Sequence, residues 1–192
     1  SSHVVLPGLI NTHHHFYQTL TRALQPALGK ELFDWLKALY PVWSGLDPEG
    51  LAVATELALT ELLLSGCTTT SDHHYLYPKG LEEAVDIQVS VATQIGMRVT
   101  LTRGSMDLSQ KDGGLPPDSV VQETDEILAD SERVVNRFHQ SGPGSMVQIA
   151  LAPCSPFSVT QHLMRQTAEL GAKLGVRLHT HLGETQDEND FC

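Results

Sequence analysis

The chain has 192 residues, 41% hydrophobic and 18% charged, the composition of a globular domain able to bury a real core. Its formal charge of −11, from 23 acidic and 12 basic residues, argues against a nucleic-acid polymer as partner, which demands a basic surface, and leaves a small neutral molecule unaffected. Cys67, Cys154 and Cys192 form no C-x-x-C pair, nothing resembles a signal peptide, and no stretch approaches the roughly 18 apolar residues of a membrane span, so a soluble protein of the reduced cytoplasm, with no membrane partner, is expected.

Val4-Val5-Leu6 with Leu9-Ile10 reads as a short buried strand broken by Pro7-Gly8, and it delivers the run Asn11-Thr-His-His-His-Phe-Tyr-Gln18 at its end. Thr19 to Leu28 and Glu31 to Tyr40 are helical by periodicity, with Pro41 as the stop. Asp47-Pro48 pairs an N-cap acceptor with proline at the first helical position, and Leu51, Ala54, Ala58 and Leu62 keep helical spacing until Gly66. Cys67-Thr-Thr-Thr-Ser-Asp72 follows as a β-branched strand ending in His73-His74, and a helix from Leu81 to Ile95 precedes the strand Met97 to Thr102.

The segment Gly104 to Ser119, with Gly113-Gly114 and Pro116-Pro117, is a long loop of the kind used as a functional lid or left disordered. A helix from Val120 to His139, a strand Val147 to Ala152, a helix from Thr160 to Leu174 and a strand Val176 to His181 complete the series. Five strands alternating with helices imply an α/β fold with a parallel sheet, either doubly wound or part of a (β/α)8 TIM-type barrel. No Gly-x-Gly-x-x-Gly follows a strand, and polar and histidine residues sit at carboxyl ends of the first, second and fifth strands, which favours the barrel. The reading is one domain over residues 1–192, holding about the first five βα units; a start without methionine and a polar end at Cys192 suggest a fragment.

His13 and His15 alternate by one residue, so at an extended strand end both imidazoles point to one side. His181 ends another strand, and three neutral imidazoles around one divalent ion leave a position for water. Glu184, one short turn beyond His181, can shuttle a proton between attacking water and a leaving group. Zinc is the default for a histidine-rich hydrolytic site, and iron fits the same ligands. Cys154 is either a substrate contact or inert packing, Arg103 a substrate clamp or an ordinary ion pair, and Trp35 a cover for a flat heterocycle or core. One of His73 and His74 faces the mouth while the other is structural.

The segments Leu6-Pro-Gly-Leu-Ile-Asn-Thr-His-His-His15, Gly66-Cys-Thr-Thr-Thr70 and Leu178-His-Thr-His-Leu-Gly-Glu-Thr185 resemble, in order, the amidohydrolase superfamily, in its branch of aminohydrolases acting on purines and triazines. The resemblance implies His13, His15 and His181 as metal ligands and Glu184 as the acid/base. It also implies a fourth histidine, an aspartate and most of a flanking β-sandwich outside these residues, and a homo-oligomer of the complete protein. Gln18 completes His-x-His-x-x-Gln, as in guanine-type deaminases, where it binds a ring carbonyl or amide; a helix-surface amide is the other reading. Ala152-Pro-Cys154 departs from the commoner Ala-Pro-His and is most similar to 8-oxoguanine deaminases.

The expected activity is therefore hydrolytic deamination of an oxidised purine, a metal-activated water attacking the amino-bearing ring carbon with release of ammonia. An s-triazine aminohydrolase or chlorohydrolase, a guanine- or isocytosine-type deaminase, and an inactive metal-binding subunit are the alternatives.

Overall fold

The computed structural model describes residues 2–192. Four parallel strands, β1 (Leu9–Asn11), β2 (Cys67–Asp72), β3 (Arg98–Ser105) and β4 (Val147–Pro153), lie in sequence order β1-β2-β3-β4. Six α-helices accompany them: α1 (Leu32–Trp43), α2 (Pro48–Leu64), α3 (Ala84–Ile95), α4 (Thr124–Phe138), α5 (Gln161–Leu174) and the short α6 (Gln186–Phe191). The α/β class and parallel sheet expected from the alternation are present.

Local chemistry explains most boundaries. The Asp47 carboxylate accepts the Gly50 N–H at 2.7 Å, capping α2, and the Thr160 hydroxyl accepts the Leu163 N–H at 3.1 Å, capping α5. Helices α3 and α5 stop at Gly96 and Gly175, which take the left-handed conformation that glycine adopts without a Cβ penalty. One apolar core, including Ala58, Leu59, Val85, Leu101, Val134 and Leu151, lies between the sheet and the helices. A second gathers Tyr17, Leu39, Tyr40, Trp43, Tyr75 and Phe157 near the carboxyl strand ends.

Five expectations need correction. Thr19 to Leu28 is not an α-helix but two 3₁₀ segments, Phe16–Thr21 and Gln25–Ala27; the second carries Pro26, which has no N–H to continue an α-helical ladder. Pro41 does not stop α1, which runs on to Trp43; lacking an N–H it cannot donate to the Lys37 carbonyl, and the helix ends two residues later. Only Leu9–Asn11 of the first segment is a strand. It is not buried, since Val4, Val5, Leu9 and Ile10 are at least 61% exposed along the open edge of the sheet. The fifth strand is reduced to a single bridge, Leu151 to Leu178, flanked by bonds from Leu151 N–H to the Arg177 carbonyl and from His179 N–H to the Leu151 carbonyl, both 3.0 Å. The fifth segment thus runs beside β4, at the other edge, with one neighbour instead of two.

The fifth correction concerns the long loop, which is no lid. Met106, Ser109 and Leu115 are buried, and the Asp107 carboxylate pins the loop to the start of α5 by accepting the Thr160 N–H and hydroxyl, both at 2.6 Å. At its start Gly104 lets β3 pass against the turn after β2: its N–H donates to the His74 carbonyl at 2.8 Å, and a Cβ there would meet that oxygen.

Candidate metal centre

The ends of β1 and of the fifth segment, at opposite edges of the sheet, face each other. Four strand spacings separate β1 from the fifth segment, about 19 Å if the sheet were flat. The side chains that follow them nevertheless touch, so the sheet is curled into an arc whose carboxyl ends converge. His15 Nε2 lies 3.2 Å from His13 Nε2 and 3.3 Å from His181 Nε2.

The backbone holds these rings. Asn11 Oδ1 accepts the His13 N–H at 3.2 Å, and the buried Asp72 carboxylate at the end of β2 accepts the Phe16 N–H at 2.7 Å. His15 Nδ1 donates to the His73 carbonyl at 2.7 Å, and His181 Nδ1 donates to the Cys154 carbonyl at 2.8 Å. A carbonyl can only accept, so each bond fixes its imidazole as the Nδ1–H tautomer and leaves Nε2 as a bare lone pair.

Two lone pairs facing each other at 3.3 Å repel unless a cation lies between them. Tetrahedral zinc bound to nitrogen at about 2.0–2.1 Å puts ligand nitrogens about 3.3–3.4 Å apart. His13, His15 and His181 form a three-residue donor set with ligand atoms within 4.8 Å of one another; the two spacings about His15 Nε2 and the fixed tautomers of His15 and His181 fit such an ion. Burial, followed by the neighbouring rings, lowers the His15 pKa to about 3, and burial likewise lowers His13 and His181. Neutral imidazoles are the form a metal requires.

The three rings form one side of a pocket of about 540 Å³, a size suited to a small heterocycle. Gln18, Trp35, Cys154 and Glu184 line it too, as does Phe157. Burial, then the adjacent Glu188, raises the Glu184 pKa, the direction an acid/base needs to work near neutrality. Burial pushes the Cys154 thiol up to about 12, so it is a neutral S–H and not a nucleophile.

Two expected substrate contacts lie elsewhere. Arg103 is buried in an ion pair with Asp130, Nε to Oδ2 2.6 Å; it also donates to Gln122 at 2.8 Å and to the Gly104 carbonyl, and stacks on Tyr77 at 3.8 Å. Its alternating position on β3 sends it into this network. His73 is fully buried beneath the cluster, its ring 4.2 Å from that of His181, and is not part of the pocket wall.

Two residues that sequence reasoning passed over belong here. His179 Nε2 lies 3.0 Å from His13 Nδ1, and burial lowers its pKa to about 4. The His179-x-His181 alternation, the same as that of His13 and His15, was its signal. Tyr75 lines the pocket and its hydroxyl accepts from Gln18 Nε2 at 3.3 Å; its place two residues beyond His73 gave only a hint.

The family model described as "Amidohydrolase family" matches residues 4–191. The chain is 66% identical over 192 residues to 8-oxoguanine deaminase of Pseudomonas aeruginosa, covering 100% of this chain and 43% of that protein. It is 41% identical over 181 residues to hydroxydechloroatrazine ethylaminohydrolase of Pseudomonas sp. (strain ADP), covering 93% and 38%. Among solved structures, the atrazine chlorohydrolase of Arthrobacter aurescens TC1 complexed with zinc superposes with a TM-score of 0.89 at 31% identity, over 95% of this chain and 42% of that one. The chain thus spans less than half the length of these relatives.

Proposed function

This chain belongs to the amidohydrolase family, and from that membership we propose that it is the metal-binding part of an aminohydrolase that removes ammonia from an oxidised purine of the 8-oxoguanine type. The observation that carries the reading is the pair of carbonyl-fixed imidazoles, His15 and His181, whose bare Nε2 atoms face each other 3.3 Å apart in a pocket shared with Glu184. The 66% identity to a protein named 8-oxoguanine deaminase supports the substrate class. In the complete protein the arc would continue into a closed barrel.

His13, His15 and His181 would hold one divalent ion, zinc by analogy with the zinc-complexed relative. When bound, such an ion acts as a Lewis acid and lowers the pKa of water towards about 7. Glu184 takes a proton from the attacking water and passes it to the ring nitrogen beside the amino-bearing carbon. A carbon–oxygen bond forms, the second proton of the water passes to the amino group, the exocyclic carbon–nitrogen bond breaks, and ammonia leaves. Gln18, held by Tyr75, offers an amide to a ring carbonyl or amide, Cys154 offers a weak S–H donor, and Trp35 packs against the flat ring. The protein works in the cytoplasm as a soluble enzyme; among the described residues no helix is long and apolar enough to cross a membrane.

A triazine hydrolase is the second reading, favoured by the 41% identity to hydroxydechloroatrazine ethylaminohydrolase. Release of ammonia from 8-oxoguanine, guanine and isocytosine, and of ammonia or alkylamine from hydroxylated aminotriazines, measured side by side on the metal-analysed full-length protein, separates the two. Turnover of triazines alone would overturn the purine reading. Glu184→Gln should lose about 10²–10⁴-fold in kcat with its metal retained.

A further inference from the structure

Beyond the pocket wall, Glu188 in α6 is only 1% exposed, and among the described residues no lysine or arginine pairs with it. A buried carboxylate needs partners for both oxygens. Here Oε1 accepts the Gly183 N–H at 2.9 Å and Oε2 accepts the Glu184 N–H at 2.7 Å.

The sequence Thr185-x-x-Glu188 has capping-box spacing, in which the glutamate reaches back to the N–H of the cap residue. Glu188 instead reaches one and two residues further, and the Thr185 side chain makes no capping bond. The turn it grips is otherwise weakly held. Gly183 sits at φ +68°, and the fifth segment's last backbone bond to β4 and its extension is His181 N–H to the Cys154 carbonyl at 3.0 Å. Helix α6 is itself referenced to the pocket: the Phe191 ring packs 6.3 Å from that of Phe33 and 6.4 Å from that of Phe157.

We propose that Glu188 is a positioning residue for Glu184, its two oxygens fixing the Gly183–Glu184 backbone so that the Glu184 carboxyl enters the pocket in one direction. The inference rests on the acid/base role given to Glu184 above. A small rotation of that backbone would move the carboxyl by an ångström or more, a displacement that costs about a hundredfold in rate where a catalytic group must be aligned. An ordinary helix cap would affect folding alone.

The test is a cycle in the full-length protein: wild type, Glu184→Gln, Glu188→Gln and the double variant, each with kcat, KM, bound metal and melting temperature. Glu188→Gln replaces one acceptor oxygen by an NH2 facing a backbone N–H. It should lower kcat about ten- to hundredfold, leave KM within about threefold and leave the metal content unchanged. In the Glu184→Gln background it should cost nothing more, because the group it positions is already disabled. An unchanged kcat, or losses that multiply in the double variant, would overturn the proposal. Should Glu188→Gln fail to fold, Glu188→Asp keeps the charge with a shorter reach; a fall in kcat alone supports the positioning role and full activity refutes it. A wild type that releases ammonia from no heterocycle overturns the function itself, and this inference with it.

Discussion

Replacing Asp72 separates what its carboxylate does by charge from what it does by accepting hydrogen bonds. The side chain is fully buried and receives the Phe16 N–H at 2.7 Å and Gln88 Nε2 at 2.6 Å. Asp72→Ala strands both donors, and each buried unsatisfied group costs about 1–3 kcal/mol, so a loss of about 2–6 kcal/mol is expected. Asp72→Asn should cost about 1 kcal/mol or less. Among the described residues Gln88 Oε1 has no hydrogen-bond partner, so a flip of the Gln88 amide lets that oxygen accept from the new NH2, while the Asn carbonyl still accepts from Phe16.

The same pair of variants reports pH dependence. Burial pushes the Asp72 pKa up to about 7, against the opposing Phe16 and Gln88 bonds, from an ordinary 3.8. The folded state of wild type therefore holds this proton longer than the unfolded chain, and its stability falls as pH rises between about 4 and about 7. The Asn variant has no such proton and gains on wild type over that window. Because Phe16 follows His15 directly, Asp72→Ala should also weaken zinc binding by about 10–100-fold, the usual cost of losing outer support to a ligand. Urea titrations of the metal-free full-length protein at pH 5 and pH 8, with zinc affinity by competition, measure all of this. An Asn variant as damaged as the Ala variant would refute the flip, and with it the view that accepting bonds is the main task of Asp72.

Arg103→Ala should cost about 3 kcal/mol in urea unfolding, the low end for a broken buried pair because Arg133 still holds Asp130 at 2.6 Å, while KM stays within about twofold. A raised KM at unchanged stability would restore Arg103 to the substrate. His74 is fully buried, and burial lowers its pKa to about 3 from 6.5. Protons then favour the unfolded chain below pH 6.5, so this group's contribution, complete above 6.5, falls by about 2 kcal/mol by pH 5. His74→Leu should flatten the stability loss between pH 7 and pH 5 by that amount, and an identical pH profile would show that His74 does not carry it.

Where a rule is local, the sequence was enough. Asp47-Pro48 announced α2 because a cap needs only neighbouring residues, and the expected helix ends at Ile95 and Leu174 fall where Gly96 and Gly175 turn left-handed. Failures came where a partner elsewhere in the fold decides. The residues from Val4 to Ile10 look apolar enough to be core, but burial depends on what lies beside an edge. Arg103 follows the expected strand Met97 to Thr102 as a substrate clamp would, yet β3 runs on to Ser105, and Asp130 on α4 and Tyr77 beyond β2 claim its guanidinium. The Gly104 to Ser119 loop looked free because nothing near it in sequence shows Thr160 waiting for Asp107.

For the site, the sequence by itself singled out His13, His15 and His181 as candidate donors with a carboxylic acid at Glu184, because alternation along a strand end and the reach of one turn are set by covalent geometry. It also showed the resemblance that those motifs carry. Only the tertiary structure decided that His15 and His181 point bare Nε2 atoms at each other, since their tautomers are fixed by the carbonyls of His73 and Cys154, just past the ends of β2 and β4. Likewise it alone brought His179 and Tyr75 to the cluster and the pocket, and turned Glu188 from a surface-looking acid into the support of the Glu184 turn. The bonds from His15 to the His73 carbonyl and from His181 to the Cys154 carbonyl join residues far apart in the chain across a curled sheet, so spacing alone could not have shown them, whereas for His179 the alternation with His181 was a local signal.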